Sequence, residues 1–340
     1  MKNRKLNQLK ICLQEEVEAG SAGFGNYSFP HNALPEINFT KVDTSTTFLG
    51  KKLSAPILIS AMTGGSEKGF EINKNLALAA QKMKVAMGVG SQRVAIENPK
   101  LADTFQVRKF APDVLLFANL GAVQLNYGYG VSECQKVVSM ISADALVLHL
   151  NPLQEVIQTG DTNFENLLPK IEKICQKLSV PVIVKEVGFG ISEDVARRLF
   201  NAGIKIIDVA GYGGTNWALV AGKVAGPPLG ETFKNWGIPA AYSIQMCKKI
   251  EGLKIVGSGG IRSGIDIAKA IVLGADLVGL ARPFLKEAAR SASAVEEKIA
   301  NLALELKVAM FCVGAQDLSQ LQKVKLVNFP VYSLYQERGS

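Results

Sequence analysis

Only two histidines, His31 and His149, occur in the 340 residues, too few and too far apart to form a zinc cluster. The five cysteines, Cys12, Cys134, Cys175, Cys247 and Cys312, are odd in number and lack any Cys-x-x-Cys spacing. They read as reduced structural thiols rather than a disulfide frame. No apolar run reaches the roughly 18 residues needed to span a bilayer, and the first sixteen residues mix Lys, Glu and Gln, unlike a secretory signal. A soluble, cytoplasmic chain without a membrane segment or structural metal is therefore expected. Basic residues exceed acidic ones by eight, yet they are scattered, and no basic helix interleaves with aromatics. Nucleic acid is not expected as a partner; the excess suits a small, strongly anionic ligand. Also missing are G-x-x-x-x-G-K-[ST] and a G-x-G-x-x-G in a first strand-to-helix turn, so neither a P-loop nor a Rossmann dinucleotide site is supported.

Nearly half of the residues (48%) are hydrophobic and a fifth are charged, a globular balance. Short apolar runs recur at 56–60, 84–88, 114–119, 145–150, 182–186, 204–209, 254–257 and 276–280, with amphipathic stretches between them. The runs are continuous rather than alternating, as expected for parallel strands covered on both faces. The clearest helix follows Ser192: an N-cap serine, acids Glu193 and Asp194 in the first turn, and Gly203 at the close. Eight such units predict an α/β fold, a closed (β/α)8 TIM barrel, in preference to an open doubly wound sheet. Residues 1–50 are then an N-terminal extension, 51–315 the barrel and 316–340 a tail.

The unusual residues follow the runs. They include Met62-Thr63-Gly64-Gly65, Gly90-Ser91-Gln92-Arg93, His149 to Glu155, Gly213-Gly214-Thr215 and Ser258-Gly259-Gly260-Ile261-Arg262. In a barrel all of these meet at the carboxyl ends of the strands, where such folds keep their chemistry. Glycine permits close backbone approach, and the segment after the seventh run opens a helix whose N–H groups attract anions. A bound phosphate is expected there, with Arg262 adding a charge-assisted contact.

Taken together with Asn3-Arg4-Lys5 and Ala33-Leu34-Pro35-Glu36, these ordered motifs resemble the type 2, flavin-dependent isopentenyl-diphosphate isomerases over nearly the whole chain, weakening after about residue 315. The resemblance implies interconversion of isopentenyl and dimethylallyl diphosphate with reduced FMN, Mg²⁺ and a reductant such as NADPH. It also implies a homotetramer or larger. The flavin would give and take the proton at the allylic carbons, so the cofactor carries the hard step.

Carried over residue by residue, the resemblance assigns the flavin ring and ribityl chain to Ser60, Ala61, Met62, Thr63, Ser91, Asn119, Ala210 and Thr215. The flavin phosphate falls to Gly259, Gly260, Ile261, Arg262, Ala281 and Arg282. Lys185 would stabilise charge on the reduced ring, with Gln154 near the allyl group and His149 and Asn151 orienting the diphosphate. Lys185, Gln154 and His149 are the catalytic candidates. The resemblance also folds the N-terminal extension over the barrel mouth, so that Arg4 and Lys5 complete the substrate clamp with Ser91, Gln92 and Arg93, and it makes Glu155 the metal carboxylate. Two departures stand out: Gln8 where the family has a histidine, and Ala210 where many members have a serine. An FMN-dependent 2-hydroxy-acid oxidase shares the barrel and strand-end lysine but resembles its relatives in needing a late histidine, and none follows His149. The remaining alternative is a non-catalytic flavin-binding barrel.

Overall fold

A computed structural model describes residues 2–226 and 228–327, with side chains from Lys5 onward. The eight runs form strands β3 (Ile57–Ile59), β4 (Ala86–Gly88), β5 (Leu116–Gly121), β6 (Ala145–His149), β7 (Val182–Lys185), β8 (Ile206–Asp208), β9 (Lys254–Ser258) and β10 (Leu277–Leu280). All pair in parallel and close as β10-β3-β4-β5-β6-β7-β8-β9. The (β/α)8 barrel is as expected, with two local differences. Lys84 caps the helix Glu67–Met83 at φ 52 instead of opening β4, and β5 runs on to Gly121.

Side chains alternate across each strand. Leu58, Phe117, Val147, Ile183, Ile206, Val256 and Leu277 point inward and form an apolar plug, while Ile59, Ala118, Leu148, Val184 and Ile207 face the helices. The sequence does not announce the lid below that plug: an antiparallel hairpin of β1 (Thr46–Phe48) and β2 (Lys51–Leu53). Phe48 and Leu53 are each 2% exposed and join the same cluster. Three-residue strands reading Thr-Thr-Phe and Lys-Lys-Leu carry too little hydrophobic signal to be read locally. The hairpin straddles residue 50 and so ties the extension to the barrel.

The extension begins as a helix, α1 (Lys2–Gln14), and continues through Val17, Ala22 and Phe24, all buried. Its backbone is woven into the barrel's upper loops, with Asn216 N donating to Val17 O at 2.7 Å and Ala241 N to Ala22 O at 2.9 Å. Near the other end, Ser28 pairs with Val327; residues 328–340 of the expected tail lie outside the described residues.

Candidate active site

The strand parity that fills the plug also decides what stands above it. Two residues beyond six of these seven inward residues come Ser60, Asn119, His149, Lys185, Asp208 and Ser258, with Gly279 following Leu277. All are at least partly buried, and they form a polar layer at the carboxyl ends of the strands. Register sets His149 beside Lys185 and Lys185 beside Asp208. Lys185 Nζ donates to the backbone oxygen of Glu186 at 2.6 Å and forms no close ion pair with either neighbouring carboxylate. Its positive charge is therefore available at the cavity wall.

Burial governs the titratable groups here. His149 is pushed down from 6.5 to about 3 by desolvation, reinforced by the Lys185 and Lys5 charges, so its ring is neutral. His149 Nδ1 lies 2.9 Å from Asn119 Oδ1. A neutral imidazole orients a ligand, whereas the proton exchange that an ordinary histidine offers near neutrality is removed. Glu186 is raised to about 7 by desolvation, although its Oε2 accepts from Val187, Gly188 and Phe189 N at 2.5–2.7 Å. Asp208 is raised by burial as well, and Oδ1 accepts from Ser258 Oγ at 2.5 Å.

On the side of β4 to β6, Asn151 immediately precedes the short helix Pro152–Ile157 without a side-chain capping bond. Its Nδ2 donates to Gln154 Oε1 at 3.1 Å and Glu155 Oε1 at 2.8 Å, fixing both side chains. Glu155 Oε2 accepts from Asp161 N at 2.9 Å. Arg93, opening the helix Arg93–Glu97, holds Glu97 at 2.7 Å and also pairs with Asp161, which Gln124 Nε2 contacts at 3.1 Å. From α1, Lys5 Nζ reaches Ser91 O at 2.6 Å and Gln8 Nε2 reaches Gln158 Oε1 at 3.2 Å. The extension thus lies over the mouth, as expected; the side chain of Arg4 falls outside the described residues. Gln124, Gln158 and Asp161 had no signal in the sequence, because each acts through a partner more than thirty residues away.

Gln92 departs from expectation. It is fully buried with its side chain turned into the barrel wall, donating to Val137 O at 2.9 Å and accepting from Asn119 N at 3.0 Å. It fastens β5 to the neighbouring loop and helix and does not line the cavity. Its neighbours Ser91 and Arg93 do.

The opposite side is built from backbone. A Cβ on Gly259, at φ +104, would lie 2.1 Å from Gly211 O, and one on Gly213, at φ +113, 2.1 Å from Ala22 N. These glycines therefore serve loop-on-loop packing as much as ligand approach. The helix start is also less open than expected: Arg262 and Ser263 N donate to Asp266, and Gly264 N donates to Glu305 at 2.5 Å. Among the described residues no protein acceptor meets the amides of Gly260 and Ile261, which leaves the unpaired donors in the loop preceding the helix. Arg262 and Arg282 line the same wall, both paired with Glu18 of the extension. Ala61, Met62, Thr63, Thr215 and Ala281 line the cavity too. Ala210, at φ +35, also does so, with its N donating to Asp208 Oδ1 at 3.3 Å and its O accepting from Gly190.

Two observations test whether a flavin and a diphosphate suit this wall. Ser60 Oγ, Asn151 Oδ1 and Gln124 Oε1 are buried cavity atoms with no protein partner, the kind of group that a polar ligand satisfies. The cations Lys5, Lys185, Arg93, Arg262 and Arg282 all line it.

A family model described as FMN-dependent dehydrogenase matches residues 13–105 and 152–328. The isopentenyl-diphosphate delta-isomerase of Nostoc sp. is 52% identical over 328 residues, covering 94% of each chain. The enzyme of that name from Rickettsia bellii is 50% identical over 330 residues, covering 95% of this chain and 96% of its own. The chain belongs to the isopentenyl-diphosphate delta-isomerase family. Solved neighbours include a mandelate oxidase with an FMN adduct (TM-score 0.65, 17% identity, covering 95% of this chain and 92% of its own). Another is a lactate oxidase of Pediococcus acidilactici (TM-score 0.63, 18% identity, covering 95% and 86%). At that identity they share the barrel alone. The barrel is thus shared with these two oxidases, and a shared scaffold does not by itself fix the reaction.

Proposed function

We propose that this chain interconverts isopentenyl diphosphate and dimethylallyl diphosphate on reduced FMN, in the cytoplasm and as a homotetramer or larger. One observation carries the reading. A lysine, a neutral imidazole and a carboxamide face a single cavity with arginines on both flanks, in a chain about half identical to isomerases along its length. Reduced FMN would supply the proton donor and acceptor at the allylic carbons, with NADPH or a similar donor restoring the reduced state.

The chain's own residues would act around that chemistry. Lys185 would stabilise negative charge on the ring, and Ser60, Ser91, Asn119 and Thr215 would meet its donor and acceptor edge. The loop of Gly259 to Ile261, with Arg262, Ala281 and Arg282, would hold the phosphate. Lys5 and Arg93 would bind the diphosphate, with Asn151 and the uncharged His149 orienting it and Gln154 beside the allyl group. Among the described residues no group of three or more His, Cys, Asp or Glu is placed to hold a metal. A Mg²⁺ at Glu155 would therefore complete its shell with diphosphate oxygens and water, as this hydrated ion commonly does.

An anaerobic assay of the flavin-loaded enzyme tests the reading at once. Interconversion that requires photoreduced FMN and Mg²⁺ is the expected result. Flavin-loaded enzyme that leaves isopentenyl diphosphate unchanged but forms peroxide from 2-hydroxy acids in air would replace it with the oxidase reading.

A further inference from the structure

We infer that Glu18 is a built-in counter-ion of the two phosphate-side arginines and competes with the flavin phosphate for them; this rests on the FMN reading above. Its Oε1 accepts from Arg262 Nη2 and lies 3.2 Å from Arg282 Nη1. The contact spans 244 residues of sequence, so nothing in the local pattern around Glu15-Glu16-Val17-Glu18 points to it.

The carboxylate is delivered there by structure rather than by a loose surface side chain. Val17 is fully buried, its oxygen accepts from Asn216 N, and the backbone of Glu18 bridges that of Thr215, itself on the cavity wall. The arginines are committed to the same segment. Arg282, whose side chain is 10% exposed, donates from Nη2 to Glu15 O at 2.9 Å and lies 3.7 Å from Glu16 Oε1. Arg262 directs Nη1 to Ile261 O at 2.8 Å and its other terminal nitrogen to Glu18.

A phosphomonoester near neutral pH carries between one and two negative charges and prefers forked guanidinium donors. Glu18 accepts a hydrogen bond from Arg262, forms an ion pair with Arg282 and so offsets one of the two positive charges. A phosphate seated on the neighbouring amides must either share those donors with a like charge or displace it. Because Glu18 and Arg262 are each about a third exposed, solvent moderates the repulsion, and a severalfold effect on affinity follows.

The test uses the full-length enzyme freed of flavin, titrated with FMN and separately with riboflavin, which has no phosphate. Quenching of flavin fluorescence is followed at low and high salt. Glu18→Gln keeps the size of the side chain at a partly exposed position and removes only the charge. It is expected to bind FMN about fivefold tighter than the parent at low salt, with the gain shrinking as salt rises and riboflavin affinity unchanged. Equal or weaker FMN binding by the variant overturns the inference. So does a matching gain for riboflavin, which would show Glu18 acting through loop structure. If the parent and the variant both fail to bind either flavin, the FMN reading itself falls.

Discussion

The two sides of the barrel mouth are built by different means. After β8, β9 and β10 the donors are backbone amides in glycine loops that pack on one another, with two arginines behind them. After β4, β5 and β6 the donors and acceptors are long side chains, each oriented by another side chain: Asn151 on Gln154 and Glu155, Asp161 on Arg93. A backbone cradle is rigid and selective for one small group. A side-chain network adapts to a substrate that must enter and leave, and each of its members can be changed alone. Both sides nevertheless pair their described cavity-lining arginines, Arg93, Arg262 and Arg282, with carboxylates.

Gly259→Ala should give the largest break between the sides. The new Cβ meets the carbonyl of Gly211 at a backbone angle that L residues rarely adopt. FMN affinity should fall by at least about 100-fold and stability by roughly 2 kcal/mol, read by fluorescence quenching and thermal unfolding. Retained FMN binding would mean that the loops can part without harm to the cradle.

On the side-chain side, Glu155→Gln should raise the Mg²⁺ needed for half-maximal activity about tenfold while leaving FMN binding unaltered. Gly160→Ala should act in the same direction, because its Cβ would fall 1.8 Å from Glu155 Oε2 and displace the carboxylate. Unchanged metal dependence in both would remove Glu155 from the metal site. A smaller effect is expected from Gln8→His, which adds a titratable donor next to Gln158. The apparent KM for isopentenyl diphosphate should drop about threefold, and no change would show that the amide suffices.

The smallest net effects concern pH, because two buried groups act in opposite senses. The folded chain refuses a proton on His149 until about 3, whereas an unfolded chain accepts one near 6.5. That contribution to stability is present above pH 6.5 and lost as pH falls towards 3. Glu186 acts in the opposite sense: held at about 7 against an ordinary 4.5, its burial penalty is absent below 4.5 and complete above 7. Urea unfolding between pH 5 and 6.5 should therefore show opposing slopes that separate by mutation. His149→Gln should leave a stability that declines as pH rises through this window, and Glu186→Gln one that declines as pH falls. Parallel profiles for the two variants would contradict the burial account of both groups.

Repeating local signals made the barrel legible: eight apolar runs of strand length, a capped helix such as the one after Ser192, and glycines at the turns. Once eight parallel strands close, period-two alternation carries Asn119, His149 and Lys185 to the mouth, the physical reason behind positions that the family resemblance had named. Gln92 shows where that reasoning stops. It sits in the same motif as Ser91 and Arg93, yet only the packing of β5 against the next helix decides that its amide faces the wall. The hairpin under the plug, the Asp161 link between Arg93 and Glu155, and the meeting of Glu18 with Arg262 and Arg282 belong to the same class. By itself the sequence determined the elements and their order, because hydrophobic periodicity and turn chemistry act over a few residues. The tertiary structure alone decided which charges meet, because ion pairs depend on distances between segments that no local pattern encodes.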